Sequence, residues 1–445
     1  MNIQTVEMYL MTIRRELRLP GLAIAIVQDG EVIYSRGFGS AAPGRAVDAQ
    51  TPFILGSLSK SFTALAVMQL VESGKLRLDD PVQVALPWFT VVNAAAAPVI
   101  TIRHLLTHTS GLSRYAGRDL LSGRGDKSVE QSVRALSAQR LVHVPGTRFE
   151  YSNSNYLVLA CVIETVSGLS YPSYVERFIF KPLSMRESAA APVVPGLSQG
   201  HRWWFGWPVP FDAPYLFDAQ AAAFLSSSAS DMARWLSLHL SDGSLDGVRL
   251  LSPAGMEALH TSSVPTQKRG SSAAMGWRVE SLAGEQILRH GGEVSNFRAD
   301  MLLVPGRGLG VVTLHNANNG LVAQLGLDQV AANVMRLLLG LPLPEKRVTF
   351  SRFYLGLNLG LAVLSVLQVF LWPVLALSGG PTVVLSLVLA LDLLWPFLAL
   401  FRLPRAVDMP WRGLRLYVPD VSCWLIGVGA VTVVLNVLIL LKWFL

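Results

Sequence analysis

Gly56-Ser57-Leu58-Ser59-Lys60 runs into the apolar-rich stretch Ser61 to Glu72 and stops at Ser73-Gly74. That pattern predicts a helix over 60–72, with the glycine marking its end. Residues three apart share a helix face, so Ser57 Oγ and Lys60 Nζ come within reach of each other. A serine hydroxyl is a poor nucleophile without a base beside it. Partial burial near a helix N-terminus lowers a lysine's pKa and frees the amine to accept a proton. The dipole at that end favours negative charge developing at Ser57. A plain helix-capping serine is the ordinary alternative. Among the chain's lysines only Lys60 has a serine three residues earlier.

Two further stretches follow in order. Tyr151-Ser152-Asn153 supplies a phenol and an amide two residues apart, and His290-Gly291-Gly292 supplies an imidazole followed by glycines that let backbone approach a substrate. With these three the chain resembles the β-lactamase-related serine hydrolases: class C β-lactamases, penicillin-binding DD-peptidases and related esterases. Their motifs are Ser-x-x-Lys, Tyr-x-Asn, and Lys-Thr-Gly or His-x-Gly. The resemblance continues in Ile102 to Leu112 and Tyr151 to Glu164, and covers roughly the first three quarters of the chain.

The resemblance implies an α/β (α+β) fold: an antiparallel sheet flanked by helices, beside a helical subdomain, with the site between them. It also implies roles. Ser57 attacks a carbonyl to form an acyl-enzyme, and Lys60 takes or relays its proton. Tyr151 serves as a base, and Asn153 fixes Lys60 and a substrate amide. His290 and Gly292 contact substrate, and the backbone N–H groups of Ser57 and Glu293 form an oxyanion hole. No cofactor and no metal are called for. His290 stands where β-lactamases carry lysine. A neutral imidazole anchors a carboxylate less well than an ammonium, which lowers the expectation of efficient β-lactam hydrolysis. Asn296 replaces a glycine common in the family; asparagine tolerates left-handed backbone. No separate glutamate resembles the deacylation base of class A enzymes.

The strand pattern fits that architecture. Leu22 to Gln28, Asp29-Gly30 and Glu31 to Phe38 read as a hairpin with a two-residue turn. Met301 to Val304 and Leu309 to His315 read as a second pair, and Gln286 to His290 as a strand ending on the third motif. Helices are expected over 60–72, 155–166 and 230–240, and from Met1 to Pro20 as a surface helix without the apolar run of a signal peptide. Strands at both ends with helices between predict one sheet built from both ends of the domain.

The chain has 445 residues, 51% of them hydrophobic, and a formal net charge of +7; its mean hydropathy is +0.42. The apolar excess lies in the tail. Residues 353–377 carry no charge, 381–401 only Asp392, and 421–441 none. Each reaches the ~20 residues that cross a bilayer core. The expected layout is a hydrolase domain over 1–345, a linker over 346–352 and three transmembrane helices over 353–377, 381–401 and 421–444. No Lys/Arg run with interleaved aromatics points to nucleic acid, and Cys161 and Cys423 are too isolated to define a redox compartment. The expected partners are a small-molecule or peptide substrate and a lipid bilayer, with no protein partner identified.

Sidedness divides two arguments. Lys346, Arg347, Arg352, Arg402, Arg405, Arg412 and Arg415 fall on one face, which the positive-inside rule places in the cytoplasm. The resemblance places the catalytic domain outside the cytoplasmic membrane of a bacterium, and that is the placement expected here.

Other residues have plainer readings. His104 and His108, four apart, lack the glutamate of a zinc-protease pattern and are expected to be structural. Trp203 to Trp207 reads as core packing or a loop staple, with the site mouth or bilayer surface as the sharper alternative. Asp392 is either functional or hydrogen-bonded to a neighbouring helix. The sequence thus predicts a membrane-anchored serine hydrolase for an ester, amide, D-peptide or β-lactam carbonyl. The rivals are a penicillin-binding-type receptor that is acylated and barely turns over, and a membrane structural protein with a degenerate domain. Pocket shape would depend on segments 112–130 and 200–218.

Overall fold

The computed structural model describes residues 3–115, 117, 127–261, 264–345, 349–377 and 383–444. Its frame is an antiparallel sheet whose strands run, edge to edge, 264–265, 272–273, 278–282, 285–294, 297–304, 309–315, 21–28, 31–42 and 45–46. The two ends of the domain meet in it: Gly21–Gln28 pairs with Leu309–His315, with Ile24 opposite Thr313. Asp29 and Gly30 both have positive φ, as a two-residue hairpin turn requires.

Strand 21–28 is apolar up to Val27 because both of its faces are covered. Leu22, Ile24 and Ile26 join Val6, Leu10 and Ile13 of helix Ile3–Glu16 and Val330 and Val334 of helix Val330–Leu338. Ala23, Ala25 and Val27 point the other way, into a core with Phe62 and Leu65 of helix Ser59–Glu72 and Trp235 of helix Ala229–Leu240. Alternation with period two sorts one apolar run between two cores. Helices from the middle of the chain, including Asn153–Ser167, extend the second core as a helical subdomain.

Several local expectations shift. The strand carrying the third motif continues to Val294 instead of ending at His290, since the two glycines pair in register with Asp300 and Ala299. Segment 200–218 begins as a hairpin, His201–Trp204 with Trp207–Pro210. Its two prolines sit on an edge strand, where missing N–H groups cost nothing. Of segment 112–130, residues 116 and 118–126 lie outside the described residues.

Three tail helices, Phe350–Leu377, Val383–Ala406 and Pro419–Phe444, are long and apolar enough to cross a bilayer, with best-window mean hydropathies of 1.9, 2.4 and 2.5. The expected linker is a different matter. Residues 346–348 lie outside the described residues, but Phe350 already belongs to the first helix and is buried with Tyr354 in the domain core, beside Trp203. The two aromatics are four residues apart on one helix face, so the domain core holds that helix from its first turn. The expected turn Ser378-Gly379-Gly380 lies outside the described residues. The second helix runs past 401 to Ala406, and a short helix, Trp411–Tyr417, occupies the connection to the third.

The aromatic cluster forms the joint. Trp203 is core, its indole N–H donating to Leu17 O at 2.9 Å. Phe205 N–H donates to Asp420 Oδ2 at 3.2 Å, and Asn358 Nδ2 donates to Phe205 O at 3.1 Å. Gly206, at φ +87°, leaves no room for a Cβ, which would stand 2.9 Å from the Tyr354 ring.

Candidate active site

Ser57 lies in a tight turn, Gly56–Leu58, that feeds directly into helix Ser59–Glu72. Gly56 has φ +57°, and a Cβ there would stand 2.3 Å from Glu293 N. A Cβ on Gly292 would stand 2.0 Å from Leu55 O. Two glycines therefore let the serine turn and the motif strand touch backbone to backbone. That contact brings Ser57 beside the N–H of Glu293, the second expected oxyanion donor.

Lys60 is fully buried behind the serine. Its Nζ lies 2.9 Å from Ser57 Oγ, 2.8 Å from Asn153 Oδ1 and 2.7 Å from Ala222 O. Burial pushes its pKa down, partly opposed by Tyr151. The two carbonyl oxygens can only accept, so they always engage two Nζ protons. The bond to Ser57 is the one whose direction can reverse. A neutral Lys60 would accept the serine proton there while still donating to Asn153 and Ala222.

Asn153 opens helix Asn153–Ser167 and donates through Nδ2 to Gly117 O at 3.1 Å. The Tyr151 ring has two basic groups near it, Lys60 Nζ 5.0 Å and the Arg278 guanidinium 5.7 Å from its centroid. His108 also lies against this ring, ring centroids 4.3 Å apart. Its Nδ1 accepts from Ser152 N at 3.2 Å and stands 3.0 Å from Asn155 Nδ2. His108 thus steadies the Tyr-x-Asn turn. His104 has a different task, its Nδ1 accepting from Thr101 N in a helix capping box.

His290 Nδ1 is 2.6 Å from Gly276 O, a carbonyl that fixes the proton on Nδ1 and leaves Nε2 as the acceptor. Burial, with Lys60 nearby, pushes its pKa down to about 3. His290 is therefore a neutral polar group. Gly276 is the link: with φ +78° it packs against Lys60 and Ala64 of the serine helix while bonding His290.

Ser57, Tyr151, Asn153, His290, Gly292 and Glu293 all line one cleft of about 370 Å³, with Lys60 behind them. Several contributors lie outside the three sequence motifs. Ala222 O and Gly117 O act through backbone and leave no side-chain signal. Arg278 is a lone arginine on strand 278–282, facing the cleft. The other basic groups on the described wall are mostly engaged: Lys268 with Glu280, Arg289 with Asp300, and Arg298 with Glu293 and Asp328. Arg278 makes no ion pair among the described residues. Met409, Gly413 and Tyr417, from the connection between the second and third tail helices, also border the cleft.

A protein-family model described as Beta-lactamase matches residues 9–334, ending before the first apolar helix. Protein flp of Staphylococcus aureus (strain N315) is 29% identical over 313 residues, covering 69% of this chain and 61% of its own length. This chain thus spans about three fifths of that relative. Penicillin-binding protein 4 of Amycolatopsis lactamdurans is 29% identical over 345 residues, covering 75% of this chain and 89% of its own. The octameric penicillin-binding protein homologue from Pyrococcus abyssi superposes with TM-score 0.68 at 28% identity, covering 77% of this chain and 78% of that one.

Proposed function

The chain belongs to the β-lactamase family of serine hydrolases, and on that premise we propose that it is a membrane-anchored hydrolase working through an acyl-Ser57 intermediate. The observation that carries this reading is the 2.9 Å contact between Lys60 Nζ and Ser57 Oγ, made by an amine whose other two partners are carbonyls.

Neutral Lys60 takes the Ser57 proton as Oγ adds to the carbonyl carbon. The N–H groups of Ser57 and Glu293 receive the oxyanion. Collapse breaks the bond to the alkoxide or amine, which leaves with the proton held by Lys60, through Tyr151. Water then adds to the acyl-enzyme, giving up a proton to Tyr151 or Lys60. The second collapse frees the acid and restores the Ser57 hydroxyl. Each cycle consumes one ester or amide and one water.

The substrate is a carbonyl compound of the ester, amide, D-peptide or β-lactam type. With His290 neutral, Arg278 supplies a charge, without an ion pair among the described residues, that would hold a substrate carboxylate. On this reading the catalytic domain works on the outer side of a bacterial cytoplasmic membrane, a proposal that rests on likeness to the family's penicillin-binding members. Alkaline-phosphatase and fluorescent-protein fusions at Leu445 and between the second and third spans check that placement.

A fluorophosphonate probe and a fluorescent penicillin test the chemistry directly. Wild type is expected to become labelled and to turn over a simple ester repeatedly, while Ser57→Ala does neither. One equivalent of product per chain, without turnover, would replace the hydrolase by a slowly deacylating receptor. Equal labelling of Ser57→Ala would remove Ser57 from the mechanism altogether.

A further inference from the structure

The cleft has a wall that the catalytic domain does not supply. Met409, Gly413 and Tyr417 border the same cavity as Ser57, and they come from the connection between the second and third apolar helices. A connection between two spans lies at the bilayer surface by necessity. The short helix Trp411–Tyr417 is two-faced there. Gly413, Leu414 and Tyr417 are buried, while Arg412 and Arg415 are exposed, as are Arg402 and Arg405 just before it. Exposed arginines at that depth meet anionic head groups.

The joint fixes the same depth from the other side. Trp207, 64% exposed and stacked on the Arg18 guanidinium at 4.1 Å, stands beside the Phe205-Gly206 turn seated on the first and third helices. Tryptophan and arginine in this arrangement belong at a membrane–water interface. The cleft itself adds positive charge in Arg278.

Resting on the hydrolase reading above, we propose that the substrate is borne by the membrane: an anionic amphiphile whose reactive ester or amide lies at head-group depth while its chain stays in the bilayer. The interspan helix forms the bilayer-side lip of the cleft, and the substrate enters across it. Ser57 then meets a carbonyl presented from the surface. The acyl transfer is the one already described, with the leaving alcohol or amine taking the proton.

Full-length protein in nanodiscs containing phosphatidylglycerol tests this with three fluorogenic esters sharing one anionic head. The first is soluble. The second is tethered to a hexadecyl chain by a short spacer that keeps the carbonyl among the head groups. The third is tethered by a long spacer that lifts the carbonyl clear of them. The short-spacer ester is expected to be cleaved about tenfold faster than the long-spacer one, with Gly413→Trp removing most of that preference. Co-localisation alone would favour both tethered esters alike. Equal rates for the two tethers, or a preference for the long one, overturns the membrane-borne substrate even if all three are cleaved. Failure of all three esters to acylate Ser57 would instead overturn the hydrolase reading beneath it.

Discussion

Two buried ionisable side chains in this molecule, Lys60 and Asp392, are held in opposite ways. Lys60 is surrounded by acceptors, two of them fixed carbonyls and one a hydroxyl on the cleft wall. Asp392, in the second tail helix, is met by donors from the other two: Gln368 Nε2 at 3.0 Å and Asn436 Nδ2 at 2.7 Å. Thr432 donates to Gln368 Oε1 at 3.1 Å and closes the network. Both centres satisfy a costly group inside apolar surroundings. Of the two, only Lys60 has a partner that can reverse its role and that also faces a cleft. Burial alone therefore does not make a charge catalytic; a proton-exchanging neighbour with access to a cleft does. Asp392 reads as the bond that holds three helices together.

The largest expected effect breaks the catalytic half of that comparison. Lys60→Met keeps most of the buried volume but cannot accept a proton. Acylation of Ser57 should slow on the order of 10²–10⁴-fold, read from probe labelling rates. The pH profile sharpens the point. Because burial lowers the Lys60 pKa, kcat/KM should rise with pH through a value below the ordinary lysine range of about 10.4. Over the same window the unfolded chain binds a proton that the folded one does not, so stability should also rise with pH. His290, at about 3, should add no limb above pH 5. A rising limb at the ordinary lysine value would mean that Lys60 is not the base.

Part of this site was legible in the chain and part was not, for physical reasons. Ser57 and Lys60 are three apart on a helix, and Tyr151 and Asn153 flank a helix start; local geometry alone restricts where they can point. The run 22–28 and the Asp29-Gly30 turn announced a hairpin, but that both faces of its first strand are covered emerged only with the two cores. The glycines at 291 and 292 looked like a strand end, because the packing partner of Gly292, the turn at Leu55-Gly56, is more than 230 residues away in sequence. Ala222 O and Gly276 O act through carbonyls that every residue possesses, so no residue type marks them. Arg278 differs from Lys268, Arg289 and Arg298 on the same wall by lacking an acidic partner, which is a property of the fold. The hairpin at 201–210 was hidden by its prolines, and its union with the tail helices by the distance between them.

A smaller change tests which cation serves the cleft. Arg278→Gln removes this guanidinium and leaves Lys60, Tyr151 and Ser57 in place. For an ester bearing a free carboxylate, KM should rise about tenfold or more, the worth of one charge-assisted hydrogen bond. For its methylated counterpart the change should be small. Equal losses for both esters would assign Arg278 to supporting the Tyr151 ring, against which it stacks, instead of holding substrate.

The smallest effect falls on the other half of the comparison. Asp392→Leu leaves the Gln368 and Asn436 amides without their acceptor between apolar helices, at a cost of about 1–2 kcal/mol. That should lower the unfolding midpoint in detergent while leaving acylation of Ser57 by a soluble probe unchanged. Asp392→Asn keeps a carbonyl acceptor and should lose less. The two variants separate assembly from chemistry, because a structural carboxyl is replaceable by an amide and a proton-carrying one is not. If Asp392→Asn kept its stability but stopped turnover of a membrane-borne ester, the carboxyl would be acting in the reaction. The contrast between the two buried centres would then rest on distance from the cleft, and no longer on what their partners can donate or accept.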